Sequence, residues 1–232
     1  FQASEIGIMD HIKYSKNVLD PERFRDLREL CTKHVNEIPT YNFCRKTEES
    51  SNFIEEIIRH LIGRDNHVEY WVRNTLGSTL FHVDANELQA KMDAYKFGTP
   101  DPEMKNEFPL NTHILYLNVH PKMEGGELII LPYTTFIQGR EILDDSFVPL
   151  EGTEMLIIKP RENNLVLFDK PLYHATNSVS NSDIANYRVS LMFSSWEYVP
   201  KIYEKHEHWS NYIIDGFPGE NHEPKPMEFN LI

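Results

Sequence analysis

The segment VEYWVRNTLGSTLFHVDA, residues 68–85, decides the fold that we expect for this chain of 232 residues. A β-rich run at 68–73 is followed by a turn with one glycine and by a second run at 80–83, which leads into His82-Val83-Asp84. Runs of β-branched and aromatic residues that are bounded by Gly, Asn or Ser are typical of strands. The segment therefore predicts two short strands joined by a turn.

The chain continues beyond this segment as further short β-rich runs. They lie at 113–119, 127–131, 155–159, 164–168 and 187–196. Several short strands at this spacing indicate a sandwich, a jelly roll or a barrel. Two long interruptions separate them, at 85–111 and at 133–152, and the first contains a predicted short helix at 88–95. We expect the loop 85–111 to act as a substrate lid, because it directly follows the second run.

The first third of the chain predicts two helices. Asp20 followed by Pro21 is typical of an N-cap with proline at the first helical position. Asn52 with Glu55 fits a capping box, and Gly63 is placed to end the second helix. We expect both helices to cover one face of the sheet.

Composition limits the partners of this chain. Its 36 acidic and 23 basic residues give a formal charge of −13, which argues against nucleic acid as a partner. No apolar run approaches the roughly 20 residues of a membrane-spanning helix, and no targeting signal is recognisable, so we expect a cytoplasmic protein that binds no membrane. Cys31 and Cys44 form no metal or redox motif, and we expect both to be reduced and buried.

Two His-x-Asp/Glu triplets are candidate metal ligands, because residues i and i+2 of a strand point to the same side. With this many histidines and acids, one or two such triplets are expected by chance. We expect His67 and Glu69 of the first triplet to be structural, since no turn and strand precede them. The pair His206 and His208 is expected to lie in a solvated tail.

The second triplet stands in a specific order of motifs. The order is His82-Val83-Asp84, Tyr116-Leu117-Asn118, Gly125-Gly126-Glu127-Leu128, Phe168, a turn at 169–173 before His174, and Arg188 on the last long run. This order resembles the Fe(II)/2-oxoglutarate-dependent dioxygenases, and in particular their prolyl-4-hydroxylase-like branch, over about residues 68–196. The resemblance implies a mainly β domain with flanking helices (α+β), folded as a double-stranded β-helix or jelly roll. It divides the chain into an N-terminal helical flank (1–66), a catalytic domain (67–197) and a C-terminal extension packed on the domain (198–232).

The resemblance also implies a site. His82, Asp84 and His174 would hold Fe(II) as two imidazoles and a carboxylate on one face of the metal, leaving positions for 2-oxoglutarate and O2. Arg188 would bind the far carboxylate of 2-oxoglutarate, because a guanidinium meets a carboxylate with two parallel hydrogen bonds. Ser190 and Tyr116 would contact the same carboxylate. The sequence departs from collagen-type prolyl hydroxylases in having Arg where they have Lys, at a longer interval after the second histidine.

The activity implied by the resemblance is hydroxylation of an unactivated C–H bond, with release of succinate and CO2. The substrate would be a prolyl residue in a peptide or protein, or a free amino acid or similar small molecule. Desaturation or epoxidation at the same centre stays open, whereas halogenation is disfavoured because Asp84 is present. Two alternatives also stay open: a non-enzymatic jelly-roll binding module, and a cupin-like metalloenzyme that does not use 2-oxoglutarate. The oligomeric state is not predicted.

Overall fold

The computed structural model describes residues 11–38, 42–85, 108–134, 148–149, 151–169, 171–180, 188–199 and 230–231. Within these residues the chain forms two helices and ten strands. The helices are α1 (Pro21–Lys33) and α2 (Phe53–Ile62). The strands are β1 (Ile12–Ser15), β2 (Asn42–Cys44), β3 (His67–Asn74), β4 (Asn111–Val119), β5 (Leu128–Thr134), β6 (Leu156–Ile158), β7 (Leu165–Phe168), β8 (Leu172–Thr176), β9 (Arg188–Trp196) and β10 (Asn230–Leu231).

The strands form two antiparallel sheets that pack face to face. The major sheet has seven strands in the order β10-β1-β7-β4-β9-β3-β2, and the minor sheet has three in the order β6-β5-β8. One buried cluster joins the sheets, with Ile114 and Phe168 from the major sheet and Leu128 and Ile130 from the minor one. The inner face of the major sheet therefore borders the space between the sheets.

The helices cover the other face of the major sheet, as predicted. A second buried cluster joins Leu27 of α1 and Ile58 of α2 to Leu115 of β4 and Leu191 of β9. Both predicted caps are present: Asp20 accepts hydrogen bonds from two backbone N–H groups at the start of α1, and Asn52 accepts one at the start of α2. The domain thus has three layers, helices, major sheet and minor sheet, with two apolar cores between them.

Most predicted strands are present within a few residues of their expected bounds, but one is not. The run 80–83 forms no strand. It is paired with the rest of the fold through one isolated β-bridge, between His82 and His174. The predicted turn at 169–173 overlaps β8, which begins at Leu172 and carries His174. Strands β1, β2 and β10 were not predicted, because they are short and their pairing partners lie far away in sequence.

Several predictions fall on residues that the structure does not describe. Most of the lid segment 85–111, including the helix at 88–95, and the pair His206 and His208 lie outside the described residues. The division of the chain at residues 67 and 197 stays a prediction, although β1, β2 and β10 from the two flanks join the major sheet. None of the described helices is long and apolar enough to cross a membrane.

We expect Gly125→Ala to destabilise the fold more than Gly152→Ala. Both glycines have a positive φ, of 86° and 85°, so any side chain strains them. A Cβ at Gly125 would in addition lie 2.1 Å from the carbonyl oxygen of Ser178, whereas nothing lies within 4 Å of one at Gly152. This clash should add about 1–3 kcal/mol to the loss of unfolding free energy in urea. Equal losses in the two variants would contradict the expected contact.

We expect His113 to make the protein sensitive to acid. Burial lowers the pKa of His113 to about 4 from an ordinary value of 6.5, and its imidazole stacks on Phe193 with ring centroids 4.5 Å apart. Below pH 6.5 the unfolded chain therefore takes up a proton on this imidazole, whereas the folded chain does so only near pH 4. The free energy of unfolding is thus highest above pH 6.5 and falls as the pH drops towards 4. The loss is about 1.4 kcal/mol per pH unit for one proton.

The test for His113 is urea unfolding at pH 7 and at pH 5. His113→Phe keeps an aromatic ring against Phe193 and removes the titrating group. Its unfolding free energy should fall by about 2 kcal/mol less than that of the wild type over this interval. An equal fall in both proteins would mean that His113 does not carry this pH dependence.

Candidate metal centre and adjoining pocket

His82 and His174 are held side by side by a backbone bridge. The N–H of His82 donates to the carbonyl of His174 at 3.0 Å, and the N–H of His174 donates to the carbonyl of His82 at 2.9 Å. Residues that exchange both hydrogen bonds in an antiparallel pair lie directly opposite each other and point to the same side. The two imidazole centroids are accordingly 4.4 Å apart.

Each imidazole is fixed by a hydrogen bond from its Nδ1 atom. Nδ1 of His82 lies 2.8 Å from the carbonyl oxygen of Leu80, and Nδ1 of His174 lies 3.1 Å from that of Leu172. A carbonyl oxygen only accepts, so in both rings Nδ1 carries the hydrogen and Nε2 carries a lone pair. The Nε2 atom of His174 is buried and has no hydrogen-bond partner. Both rings therefore have the tautomer that binds a metal through Nε2.

Asp84 completes the cluster. One carboxylate oxygen, Oδ2, accepts a hydrogen bond of 2.9 Å from the hydroxyl of Thr112, and the other, Oδ1, lies 3.9 Å from Nε2 of His174. Burial lowers the pKa of His174, the negative charge of Asp84 opposes this shift, and His82 adds to it. The imidazole of His174 is therefore neutral at pH 7, as a metal ligand must be.

The donor set of this cluster fits a divalent transition metal. One ligand atom from each of His82, Asp84 and His174 lies within 4.8 Å of the others. Two imidazoles and one carboxylate, with further positions left open, form the facial triad of non-haem iron sites. We call these three residues the candidate metal centre.

Three rows of side chains cross the inner face of the major sheet, because opposite residues of paired strands share a face. The metal row comprises Phe168, Thr112, Ser194 and Glu69. The apolar row comprises Val166, Ile114, Met192 and Trp71. The arginine row comprises Tyr116 and Ser190, with Arg188 two residues further along β9. Successive rows lie two residues, or roughly 7 Å, apart along the strands.

The metal row lies at the level of the candidate metal centre. Phe168 packs against the imidazole of His174 with ring centroids 5.0 Å apart, and Thr112 contacts Asp84. The apolar row comes next along the inner face, and the arginine row follows it. An elongated ligand that starts at the metal centre would therefore cross apolar side chains before it reached polar ones.

The arginine row holds buried polar groups without partners. Tyr116, Arg188 and Ser190 are at most 2% exposed. The Tyr116 hydroxyl, the Ser190 hydroxyl and two guanidinium nitrogens of Arg188 have no hydrogen-bond partner. The guanidinium carbon lies 5.4 Å from the centre of the Tyr116 ring. Burying a charge without a hydrogen-bonding counter-ion is costly, so this arrangement indicates a site for an anion.

Burial also sets the protonation of this row. It lowers the pKa of Arg188, while Tyr116 and Glu127 oppose the shift, and it raises the pKa of Tyr116 to about 12. Because a guanidinium starts from a very high pKa, Arg188 keeps its charge at pH 7, and Tyr116 keeps its proton. The row therefore offers one positive charge and two hydroxyl donors.

A separate cavity of about 620 Å³ lies at the end of β4 beyond Val119. Its lining includes His120, Glu124, Glu127 and Lys159, and none of the six predicted site residues. Because its lining mixes both signs of charge and offers no converging ligand set, it is not part of the candidate site.

Comparison with solved structures identifies the fold class. The chain matches a prolyl-4-hydroxylase from Pseudomonas putida with a TM-score of 0.50 and 11% sequence identity, over 83% of this chain and 98% of that one. It matches a 2-oxoglutarate–Fe(II) oxygenase family member from Burkholderia pseudomallei with a TM-score of 0.44 and 12% identity, over 85% and 94%. It matches HygX from Streptomyces hygroscopicus, with nickel and 2-oxoglutarate bound, with a TM-score of 0.48 and 12% identity, over 88% and 89%.

The first of these matches defines the chain as a jelly-roll protein with the fold of a prolyl-4-hydroxylase. The predicted fold class is thereby confirmed. No protein-family model matches the sequence, and no curated protein does so either.

The predicted site residues fall into two groups in the structure. His82, Asp84 and His174 come together, and Tyr116, Ser190 and Arg188 share the inner face two rows away. The prediction that His82 and Asp84 lie on a strand was wrong, because their segment forms a single β-bridge at His82 and no regular strand. Thr112 was not among the predicted site residues, although its even spacing from Tyr116 on one strand predicts that the two share a face.

We expect Thr112→Val to weaken metal binding at the candidate centre. The substitution keeps the shape of the side chain but removes the hydroxyl that donates to Asp84. Partners that orient a metal-binding carboxylate are worth about 10- to 100-fold in affinity. The dissociation constant for Co(II), measured by calorimetric titration, should rise by at least about tenfold.

Thr112→Ser is the matched control, because it keeps the hydroxyl and loses one methyl group. It should bind Co(II) with an affinity near that of the wild type. If the valine and serine variants bound Co(II) equally well, the hydrogen bond to Asp84 would have no role in metal binding.

Proposed function

We propose that this protein is an Fe(II)- and 2-oxoglutarate-dependent dioxygenase that hydroxylates an unactivated C–H bond. The observation that carries the proposal is the pairing of two sites on one inner surface. One site is the cluster of two imidazoles and a carboxylate, and the other is a buried guanidinium with two nitrogens that have no hydrogen-bond partner. A metalloenzyme that uses no acidic cosubstrate would have no need for the second site.

In this proposal His82, Asp84 and His174 hold the iron. Their backbone bridge and Nδ1 hydrogen bonds orient two lone pairs in advance, and Thr112 holds Asp84 with Oδ1 towards His174. Such preorganisation reduces the entropy that would be lost on binding the metal.

Arg188, Ser190 and Tyr116 bind the far carboxylate of 2-oxoglutarate in this proposal. Their unpartnered donors supply the hydrogen bonds that a buried carboxylate requires. The apolar row between them and the metal centre would pack against the aliphatic middle of the cosubstrate. The alternation of polar, apolar and polar rows thus matches an elongated dianion with a keto acid at one end.

The bound iron and cosubstrate supply the oxidising chemistry, in which one atom of O2 enters succinate and the other enters the substrate, with release of CO2. The protein's own contribution is to orient both and to exclude water, for which the buried apolar row is suited. We propose a prolyl residue of a peptide or protein, a free amino acid or a similar small molecule as the substrate.

The decisive experiment combines a metal titration with Arg188→Ala. In the wild type under anaerobic conditions, Fe(II) with 2-oxoglutarate should give a visible charge-transfer band that is lost in His174→Ala. Arg188→Ala should bind Fe(II) normally but require about 30- to 5,000-fold more 2-oxoglutarate for half of the band. This range corresponds to about 2–5 kcal/mol for one partner of a buried charge pair.

The control is Arg161→Ala, which removes an exposed guanidinium and should leave the 2-oxoglutarate requirement unchanged. If Fe(II) bound but Arg188→Ala changed nothing, a cupin-like enzyme without 2-oxoglutarate would be the better assignment. If the wild type bound no metal, a non-enzymatic binding module would be the better assignment.

A further inference from the structure

The arginine row has a further member at the edge of the major sheet. Arg73 of β3 is opposite Ser190 of β9. Ser190 is also opposite Tyr116 of β4, so the three residues stand side by side on adjacent strands and share the inner face. Arg73 is thus a second arginine at the level of the buried anion site, and the proposed function leaves it unused.

The row is buried at one end and exposed at the other. Tyr116, Ser190 and Arg188 are at most 2% exposed, whereas Arg73 is exposed. Strand β2 pairs with β3 only from Val68 to Tyr70, so in the part of the chain that the structure describes β3 is an edge strand at Arg73. An anion that enters along the row from this edge meets Arg73 before Ser190 and Arg188.

Backbone pairing fixes the distance between the two arginines. Thr75, two residues after Arg73, donates its N–H to the carbonyl of Arg188 at 3.1 Å. Opposite residues of an antiparallel pair lie about 5 Å apart and a two-residue step is roughly 7 Å, so the Cα atoms of Arg73 and Arg188 are roughly 8 Å apart.

The guanidinium of Arg73 extends away from that of Arg188. Burial lowers the pKa of Arg188, while Tyr116 and Glu127 oppose the shift, and Arg73 is not among the groups that act on this pKa. A second positive charge in contact with Arg188 would add to the lowering. The two arginines therefore do not share one carboxylate, and Arg73 lies on the solvent side of the row.

The charge of Arg73 is not neutralised by any of the described residues. Arg73 makes no ion pair and no side-chain hydrogen bond with them. Other exposed arginines, such as Arg25, Arg45 and Arg64, have a carboxylate oxygen at 3.0, 3.6 and 3.2 Å. In a chain with a formal charge of −13, an unpaired guanidinium at the open end of an anion site is a local source of positive potential.

A dianionic cosubstrate has to approach this acidic chain before it reaches Arg188. At physiological ionic strength charges act over about 8 Å, so the charge at the point of entry matters more than the total. An exposed cation there raises the rate of association of an anion. Because it stays solvated, it adds little to the affinity of the final complex.

We propose that Arg73 attracts the anionic cosubstrate at the edge of the major sheet and guides it along the arginine row to Arg188. This inference rests on the proposed function, because it assigns the entry side of the same anion site. Arg73 sets the rate of association, whereas Arg188 holds the far carboxylate in the final complex. Arg73 contacts neither the metal nor the bound cosubstrate.

The test is stopped-flow formation of the charge-transfer band, in which anaerobic protein loaded with Fe(II) is mixed with excess 2-oxoglutarate. The slope of the observed rate against 2-oxoglutarate concentration gives kon, and the intercept gives koff. We expect Arg73→Gln to lower kon about three- to tenfold at low ionic strength and to change koff by less than about twofold. Arg73→Lys keeps the charge and should have a kon near that of the wild type.

Ionic strength separates steering from a structural role. Raising it from about 0.01 M to about 1 M shortens the Debye length from about 30 Å to about 3 Å. The difference in kon between the wild type and Arg73→Gln should disappear over this range. A charged residue at a sheet edge also prevents pairing with another sheet, and that role alone would give no difference in kon at any ionic strength.

The matched control is Lys33→Gln, which removes the same charge from an exposed residue of α1, on the other face of the major sheet. It should leave kon unchanged. If glutamine at position 73 disturbs the edge of β3, Arg73→Met takes its place, because it keeps an unbranched side chain without the charge.

The inference is overturned if the neutral variant keeps the wild-type kon, if Lys33→Gln lowers kon equally, or if Arg73→Lys does not restore it. It is also overturned if the neutral variant raises koff and leaves kon unchanged, because Arg73 would then contact the bound cosubstrate. The proposed function stands in each of these cases, since the band has formed. If the band does not form in the wild type, the proposed function fails and this inference fails with it.

Discussion

The pair of backbone hydrogen bonds between His82 and His174 is the constraint on which the candidate site depends. Two hydrogen bonds, of 3.0 and 2.9 Å, attach an otherwise irregular segment to β8 and place both imidazoles on one side. The same segment is tied to the fold at Thr79, whose N–H donates to the carbonyl of Thr176, and at Thr75, whose N–H donates to that of Arg188. The geometry of the candidate metal centre is therefore set by backbone pairing, and each side chain is oriented by one further hydrogen bond.

The two faces of strand β9 differ in character: one packs in the apolar core against the helices, and the other carries buried polar side chains. Val189, Leu191 and Phe193 point towards the helices and belong to the helix-side core. Arg188, Ser190 and Ser194 alternate with them and present polar groups to the space between the sheets. Because β9 pairs with β3 on one side and β4 on the other, its position is fixed along its whole length. A strand held in this way can carry unsatisfied polar groups that would destabilise an edge strand or a loop.

The sequence predicted those features that depend on local patterns. The caps at Asp20 and Asn52 and the long β-rich runs of β4 and β9 have short-range signals, and the structure contains them. It did not predict β8 or the bridge at His82, because a short strand next to a turn is recognisable only through its distant partner. The metal row was also missed, since Thr112 and Ser194 become neighbours through the register between β4 and β9. The first His-x-Glu triplet was predicted to be structural because no turn and strand precede it, and only the pairing of β3 with β9 shows that it lies on the inner face.

The buried polar groups without hydrogen-bond partners on the inner face indicate that this face binds a ligand. Each buried donor without a partner costs about 1–3 kcal/mol relative to its exposed state, and a charged one costs more. The fold carries such groups in the arginine row, next to the apolar row of the same inner face. If such groups bound nothing, replacing them with apolar residues of similar size would raise the free energy of unfolding. The unpaired donors of Tyr116, Ser190 and Arg188 are therefore the part of the inner face that a bound anion would satisfy, two rows away from the candidate metal centre.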